Sequence, residues 1–142
     1  MGKPIPRFAA ETEALMEAYA ALNRNDIPAM VQAFDPQIEW IEPAEYPLGG
    51  TYQGHAAVKT HLAQARDTWA EGACEPERFI VAGDKVIVFV YVRARLKHET
   101  NWREGRHADV YTFRNGKAIQ MRIFDDCQQA LEWAGVKAPD AN

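Results

Sequence analysis

The 142-residue chain reads as an α+β domain, with helices gathered on one side of a curved antiparallel sheet. Three observations predict this. Apolar residues recur at helical spacing over Ala9–Asn23 and again from His55 to about Trp69. From Arg78 onward the chain is rich in β-branched and aromatic residues that alternate with period two. Asn115-Gly116, between two such runs, is a strong hairpin turn.

The elements follow in order. Residues 1–8 hold two prolines and two basic residues and are expected to be a loose tail ahead of a single domain over 9–134, with 135–142 a second tail. Leu15, Tyr19 and Leu22, at i, i+4 and i+7, form the stripe of the first helix. Asp26 is placed to cap a short second helix with Pro28 in its first turn, and Asp35-Pro36 is expected to end it. Residues 37–42 alternate as a strand, and Pro43–Gly54, with its prolines and glycines, reads as a loop. Val58, Leu62, Ala65 and Trp69 form the stripe of the third helix, whose exit Gly72 and Pro76 punctuate. Strands are expected over Arg78–Val81, Val86–Leu96, Arg106–Phe113 and Lys117–Asp125, and a turn or two of helix over Gln128–Ala134.

Composition narrows the function classes. The chain is 47% hydrophobic and 25% charged, as for a globular domain with a sizeable core, and its fifteen aromatic residues suffice to line a cavity as well as fill one. A net charge of −4 and a pI near 5.6 argue against a nucleic-acid surface. No apolar run is long enough for a membrane span, and the opening Met-Gly-Lys-Pro-Ile-Pro-Arg lacks an apolar stretch of signal-peptide length, so a cytoplasmic protein is expected. Cys74 and Cys127 then read as reduced thiols with no nucleophile context. No phosphate-binding loop, dinucleotide-binding glycine pattern or Gly-x-Ser-x-Gly is present, and no cofactor is expected.

The chemistry lies in two strands. Alternation puts His107, Asp109, Tyr111 and Phe113 on one face, and Ile38, Trp40 and Glu42 on one face of the earlier strand. A carboxyl group among apolar neighbours is costly to ionise, and such groups are over-represented at functional sites. If the two faces look at each other, the chain holds an apolar cavity with two acids in it. Aspartate is poorly suited to mid-strand positions, so Asp109 needs a reason, either a site role or an ion pair with Arg93, Arg95 or Arg122. His107 is placed to orient Asp109 or to exchange protons near neutral pH. As a metal pair, His107 and Asp109 lack further ligands, since His55 and His61, at i and i+6, do not share a helix face, and no metal is expected. Tyr19, Trp40, Trp69, Tyr111, Phe113 and Met121 are expected to line the cavity, with Asp125 at one end. Trp102 reads as a lid or part of an association surface.

Four stretches together resemble a known family over roughly residues 9–134. They are Tyr19-Ala-Ala-Leu-Asn23 with Asp26; Phe34-Asp35 followed by Glu39-Trp-Ile-Glu-Pro43; Gly50-Thr-Tyr-Gln-Gly54 with Ala57-Val58; and Asp109 through Phe113, then Asn115-Gly-Lys117 and Met121-Arg122. Their order and spacing resemble the nuclear transport factor 2-like superfamily, and within it the SnoaL-like and ketosteroid-isomerase-like branch. The resemblance implies a cone-shaped, curved antiparallel or mixed sheet wrapped around three N-terminal helices, a cystatin-like α+β barrel with a central pocket, and a homodimer paired through the outer sheet face.

It also implies roles. In ketosteroid isomerases an acid just before a proline on the first strand shuttles the proton, and Glu42 precedes Pro43. A second carboxylic acid, kept neutral, donates to the developing oxyanion, and Asp109 matches that position. The third partner is a first-helix tyrosine, whose expected place here is Ala18. Tyr19 is one step off, a turn of about 100°. Asp125 falls where the isomerases carry an apolar ring. His107 with Asp109 resembles the histidine and acid that serve aldol ring closure in SnoaL-like cyclases. The resemblance thus implies a cofactor-free isomerase or cyclase acting on a small apolar, carbonyl-bearing molecule. The alternatives are a non-catalytic binding or dimerisation module, or an epoxide hydrolase, whose Asp-Arg-Asp relay meets Ile123 at its final place.

Overall fold

The computed structural model describes residues 7–136. Residues 1–6 and 137–142, which make up most of the two expected tails, lie outside them. Four helices pack against a six-stranded mixed sheet that curves without closing, in the order β2-β1-β6-β5-β4-β3. The expected barrel is therefore an open one.

Helix α1 (Ala9–Asn23) buries Leu15 and Tyr19 as its apolar spacing requires. Phe8 begins it in a left-handed conformation (φ 59°) and packs against Phe113 with ring centroids 5.7 Å apart and the rings tilted by 44°, so the expected tail is anchored at its last residue. Asp26 caps α2 (Ile27–Met30) by accepting from the Ala29 N–H. Asp35-Pro36 does not separate helix from strand. A 3-10 turn over Val31–Ala33 ends the helical segment, and β1 (Phe34–Glu42) already includes both residues.

The expected loop over 43–54 contains a short strand, β2 (Gly50–Gln53), antiparallel to β1. Helix α3 (Gly54–Asp67) follows, and Trp69, expected at its end, instead begins β3 (Trp69–Ala82). Gly72 and Pro76 interrupt neither the strand nor its pairing beyond local register shifts. β3 lies at the sheet edge, where a proline need not donate to a ladder. Gly72 lies so close to β4 that a Cβ there would stand 2.7 Å from the Ala94 backbone.

Strands β4 (Lys85–Leu96), β5 (Arg103–Arg114) and β6 (Lys117–Phe124) form an antiparallel meander, and β6 then pairs in parallel with β1. The β5–β6 turn has Asn115 and Gly116 both at positive φ (52° and 81°), as a two-residue hairpin requires. Period-two alternation divides the core. Val86, Val88, Val90, Tyr111 and Phe113 face α1–α3 on the concave side. Ile87, Ala108 and Val110 face the other side, where α4 (Cys127–Trp133) covers them with Ala130 and Leu131. Asp126 accepts from the Gln128 N–H and so caps α4.

Candidate functional site

Between the concave sheet face and α1–α3 lies a cavity of about 410 Å³. Its wall includes Tyr19, Trp40, Glu42, Trp69, His107, Asp109, Tyr111 and Asp125. The two strand faces do look at each other. Phe113 and Met121, expected in that wall, are buried core residues instead. Phe113 packs under Phe8, and Met121 lies in register between Trp40 of β1 and Tyr111 of β5, flanked by both rings.

β5 supplies one acidic group. Its alternation turns His107, Asp109 and Tyr111 inward while Ala108 and Val110 turn outward. Asp109 is 5% exposed. Arg93 and Arg95 pair with Glu104 and Glu71, and Arg122 lies over Phe124 and Trp133, so none of the three meets Asp109. The partner is Tyr19, whose Oη donates to Asp109 Oδ2 at 2.5 Å. Tyr111 Oη donates in turn to Tyr19 Oη at 3.0 Å. Burial above all, with the nearby Asp109 charge, holds both phenols well above their ordinary pKa. The chain of hydroxyls therefore runs one way, towards Asp109. The helical count that favoured position 18 is corrected here. Tyr19 reaches the acid, but its hydrogen goes to Asp109 and not to the cavity.

His107 Nε2 stands 2.9 Å from Asp109 Oδ1. The contact is within ion-pair distance but leaves Oδ1 without a satisfied hydrogen bond among the described residues. Burial alone would lower the imidazole pKa. The Asp109 carboxylate, helped by Glu42 and Asp125, outweighs burial and raises it. His107 thus keeps its proton to a higher pH than a free imidazole would.

β1 supplies the second acidic group. Trp40 and Glu42, two residues apart, share a face, and Trp40 Nε1 donates to Glu42 Oε2 at 2.8 Å. The same oxygen is 2.5 Å from His61 Nε2. Since Oε2 accepts, the network assigns the hydrogen of this contact to Nε2. His61, on α3, is 1% exposed and stacks on Tyr52 of β2 with centroids 3.9 Å apart. Its Nδ1 has no partner among the described residues. Glu42 Oε1 has no donor among the described residues, so one face of the carboxylate is anchored and the other is free.

His61 is the residue the sequence reading missed. It was weighed only as a metal ligand beside His55, whose Nε2 instead meets the Phe34 carbonyl at 2.8 Å. The signal was present: Val58, His61, Leu62 and Ala65 fall at i, i+3, i+4 and i+7, which puts an imidazole inside the apolar stripe. Tyr46, from the loop before β2, was also missed, and its Oη donates to Asp125 Oδ1 at 3.1 Å.

Other groups have plainer roles. Burial, with a contribution from Asp109, pushes the Cys74 thiol in the cavity wall up to about 12, so it is not a nucleophile near neutral pH. Trp102 lies over the Arg93 guanidinium at 3.9 Å, on the side of β4 opposite Val92, which lines the cavity. It is therefore not a lid. Among the described residues no group of three or more His, Cys, Asp or Glu side chains is placed to hold a metal, and no helix is long and apolar enough to cross a membrane.

Comparison with known proteins places this architecture. The crystal structure of TerC co-crystallised with polyporic acid is similar, at 29% identity and a TM-score of 0.74, over 89% of this chain and 99% of that one. An NTF2-like protein from Burkholderia xenovorans LB400 is 30% identical with a TM-score of 0.69, over 88% of this chain and 95% of that one. A Catenulispora acidiphila protein with a ketosteroid isomerase-like fold, in complex with trimethylamine, shares the fold at 15% identity (TM-score 0.72; 89% of this chain, 98% of that one). A search of curated proteins finds no match. The model of the SnoaL-like domain matches residues 15–121, most of the chain, and the chain belongs to that family.

Proposed function

We propose that this chain is a cofactor-independent isomerase or cyclase that binds a small hydrophobic molecule and moves a proton next to its carbonyl. The observation that carries this is the state of the two acids. Glu42 and Asp109 line one largely apolar cavity, neither meets a guanidinium, and each is held by hydrogen bonds on one oxygen. Co-crystallisation of the similar protein TerC with polyporic acid supports the binding of a small molecule.

The roles follow from the contacts. Glu42 is the base, because Oε1 is free while Trp40 and His61 fix Oε2. It takes the proton from the carbon next to the carbonyl. The C–H electron pair moves to form the enolate, whose oxygen accepts a hydrogen bond from the His107 cation. Asp109, anchored by Tyr19, holds that cation in place. Where the ligand carries a carbon–carbon double bond next to that carbon, the enolate is conjugated, and return of the proton from Glu42 at the far carbon completes an isomerisation. Attack of the enolate carbon on a second carbonyl of the same molecule breaks that C=O π bond, and the resulting alkoxide takes up the proton held by Glu42 to complete a cyclisation. A homodimer paired through the outer sheet face belongs to the same reading, supported by the family resemblance.

Deuterium uptake from D2O next to the carbonyl of 2-tetralone and 6-acetyl-2-naphthoate, followed by proton NMR, tests it. Glu42→Gln is expected to slow enzyme-dependent uptake by about 10²-fold or more with the fold retained. Binding of these ketones without any uptake by the unaltered protein would identify a binding module instead.

A further inference from the structure

The cavity wall carries Glu42, Asp109, Asp125 and two guanidinium groups, besides His107, and among the described residues one of those guanidinium groups has no carboxylate partner. Asp109 Oδ1 lies 2.9 Å from His107 Nε2. Glu42 accepts from His61 and Trp40. Asp125 accepts from Tyr46 and is exposed, so water screens it. The Arg106 guanidinium is turned to Glu77 at 2.9 Å. Arg66 differs. It is half-buried on α3, with its guanidinium carbon 5.1 Å from the Trp69 ring centroid. Nε and Nη2 donate to the Leu22 and Asn23 carbonyls at the end of α1. Among the described residues no carboxylate lies within ion-pair distance of it.

Two of the five guanidinium N–H groups are therefore used, and no carboxylate among the described residues is paired with the charge. A ligand that fills the cavity displaces the water solvating the rest. A purely apolar ligand would leave those donors unsatisfied, at a cost, whereas an anionic oxygen would gain charge-assisted hydrogen bonds in a partly desolvated setting.

We infer that Arg66 is an anion-recognition residue and that the ligand is a carbonyl compound carrying an anionic group, a carboxylate or an acidic enol or phenol. This rests on the reading of the cavity as a ligand site given above. Arg66 lines the same cavity as Glu42 and His107, so one ligand can present its anionic group to Arg66 and its carbonyl to Glu42 and His107.

Isothermal titration calorimetry with three matched probes tests the inference at low salt: 6-acetyl-2-naphthoate, its methyl ester, and the analogue with a trimethylammonium group in place of the carboxylate. The carboxylate is expected to bind at least about tenfold tighter than the ester. Arg66→Met is expected to abolish that preference and Arg66→Lys to keep part of it. Because Arg66 also holds the end of α1, each variant is checked by thermal melting, and Arg66→Gln is used if Arg66→Met does not fold. Equal binding of carboxylate and ester, tightest binding of the cation, an undiminished preference in the Arg66 variants, or no binding of any probe would each overturn it. Charge discrimination without deuterium uptake would remove the proton-transfer reading and leave this one standing. Uptake without discrimination would do the reverse.

Discussion

Replacing Tyr19 by Phe deletes one oxygen from the most buried polar chain in the molecule. Tyr19 is 3% exposed, Asp109 5% and Tyr111 0%, so water cannot readily take the place of the lost hydroxyl. The ring stays, and with it the edge-to-face contact with Tyr111 at 6.4 Å. Two hydrogen bonds go. The bond to the Asp109 carboxylate is charge-assisted and contributes about 2 kcal/mol, and the Tyr111 hydroxyl, left buried without its acceptor, costs about 1 kcal/mol more. The expected loss is about 3 kcal/mol, a large share of a typical domain's stability, and a drop in Tm of roughly 10 °C. Urea unfolding followed by circular dichroism measures it. Tyr111→Phe, which removes only the outer hydroxyl, serves as control at about 1 kcal/mol. A Tyr19→Phe/Asp109→Asn cycle should return a coupling of about 2 kcal/mol. A loss below about 0.5 kcal/mol for Tyr19→Phe would refute the hydrogen-bonded chain as described.

Three further outcomes follow. The His107 pKa is raised in the folded state, so its pairing with Asp109 stabilises fully below the unfolded value, about pH 6.5, and this contribution is lost as pH rises through the folded value. The stability difference between the protein and His107→Gln, measured in urea, should therefore be greatest below about pH 6.5 and shrink with rising pH. A difference that grows with pH contradicts the pairing. With its thiol held at about 12, Cys74 should resist iodoacetamide at pH 8 in the folded protein and react once the protein is unfolded in urea, as peptide mass spectrometry would show. Among His61 variants, Gln, which offers an N–H to Glu42, should keep more of the deuterium-uptake rate than Leu, which offers none. Equal rates would remove His61 from the positioning of the base.

The parts of the site that lie within one strand were legible. Alternation alone grouped His107 with Asp109 and Tyr111, and Trp40 with Glu42, because period two is fixed by backbone geometry. Relations between elements were harder. The placing of the first-helix tyrosine at 18 assumed a rotation of α1 against the sheet that no single sequence supplies, and the packing puts Tyr19 over Asp109 instead. β3 was cut short at Gly72 and Pro76, which would break a central strand but are tolerated at the edge, a fact of sheet order and not of local propensity. β2 was hidden because its four residues lie in a glycine- and proline-rich stretch and gain their order from pairing with β1. His61 was readable as a polar residue in an apolar stripe, yet its partner Glu42 lies 19 residues away and only the folded chain brings the two together.

The central claim is that a ligand carbonyl sits between Glu42 and His107 in the cavity. A crystal structure with 6-acetyl-2-naphthoate tests it most directly. The account predicts the acetyl methyl carbon within about 3.5 Å of Glu42 Oε1 and the carbonyl oxygen within hydrogen-bond reach of His107. A ligand bound outside the cavity, or seated in it with the carbonyl turned away from both residues, would contradict it.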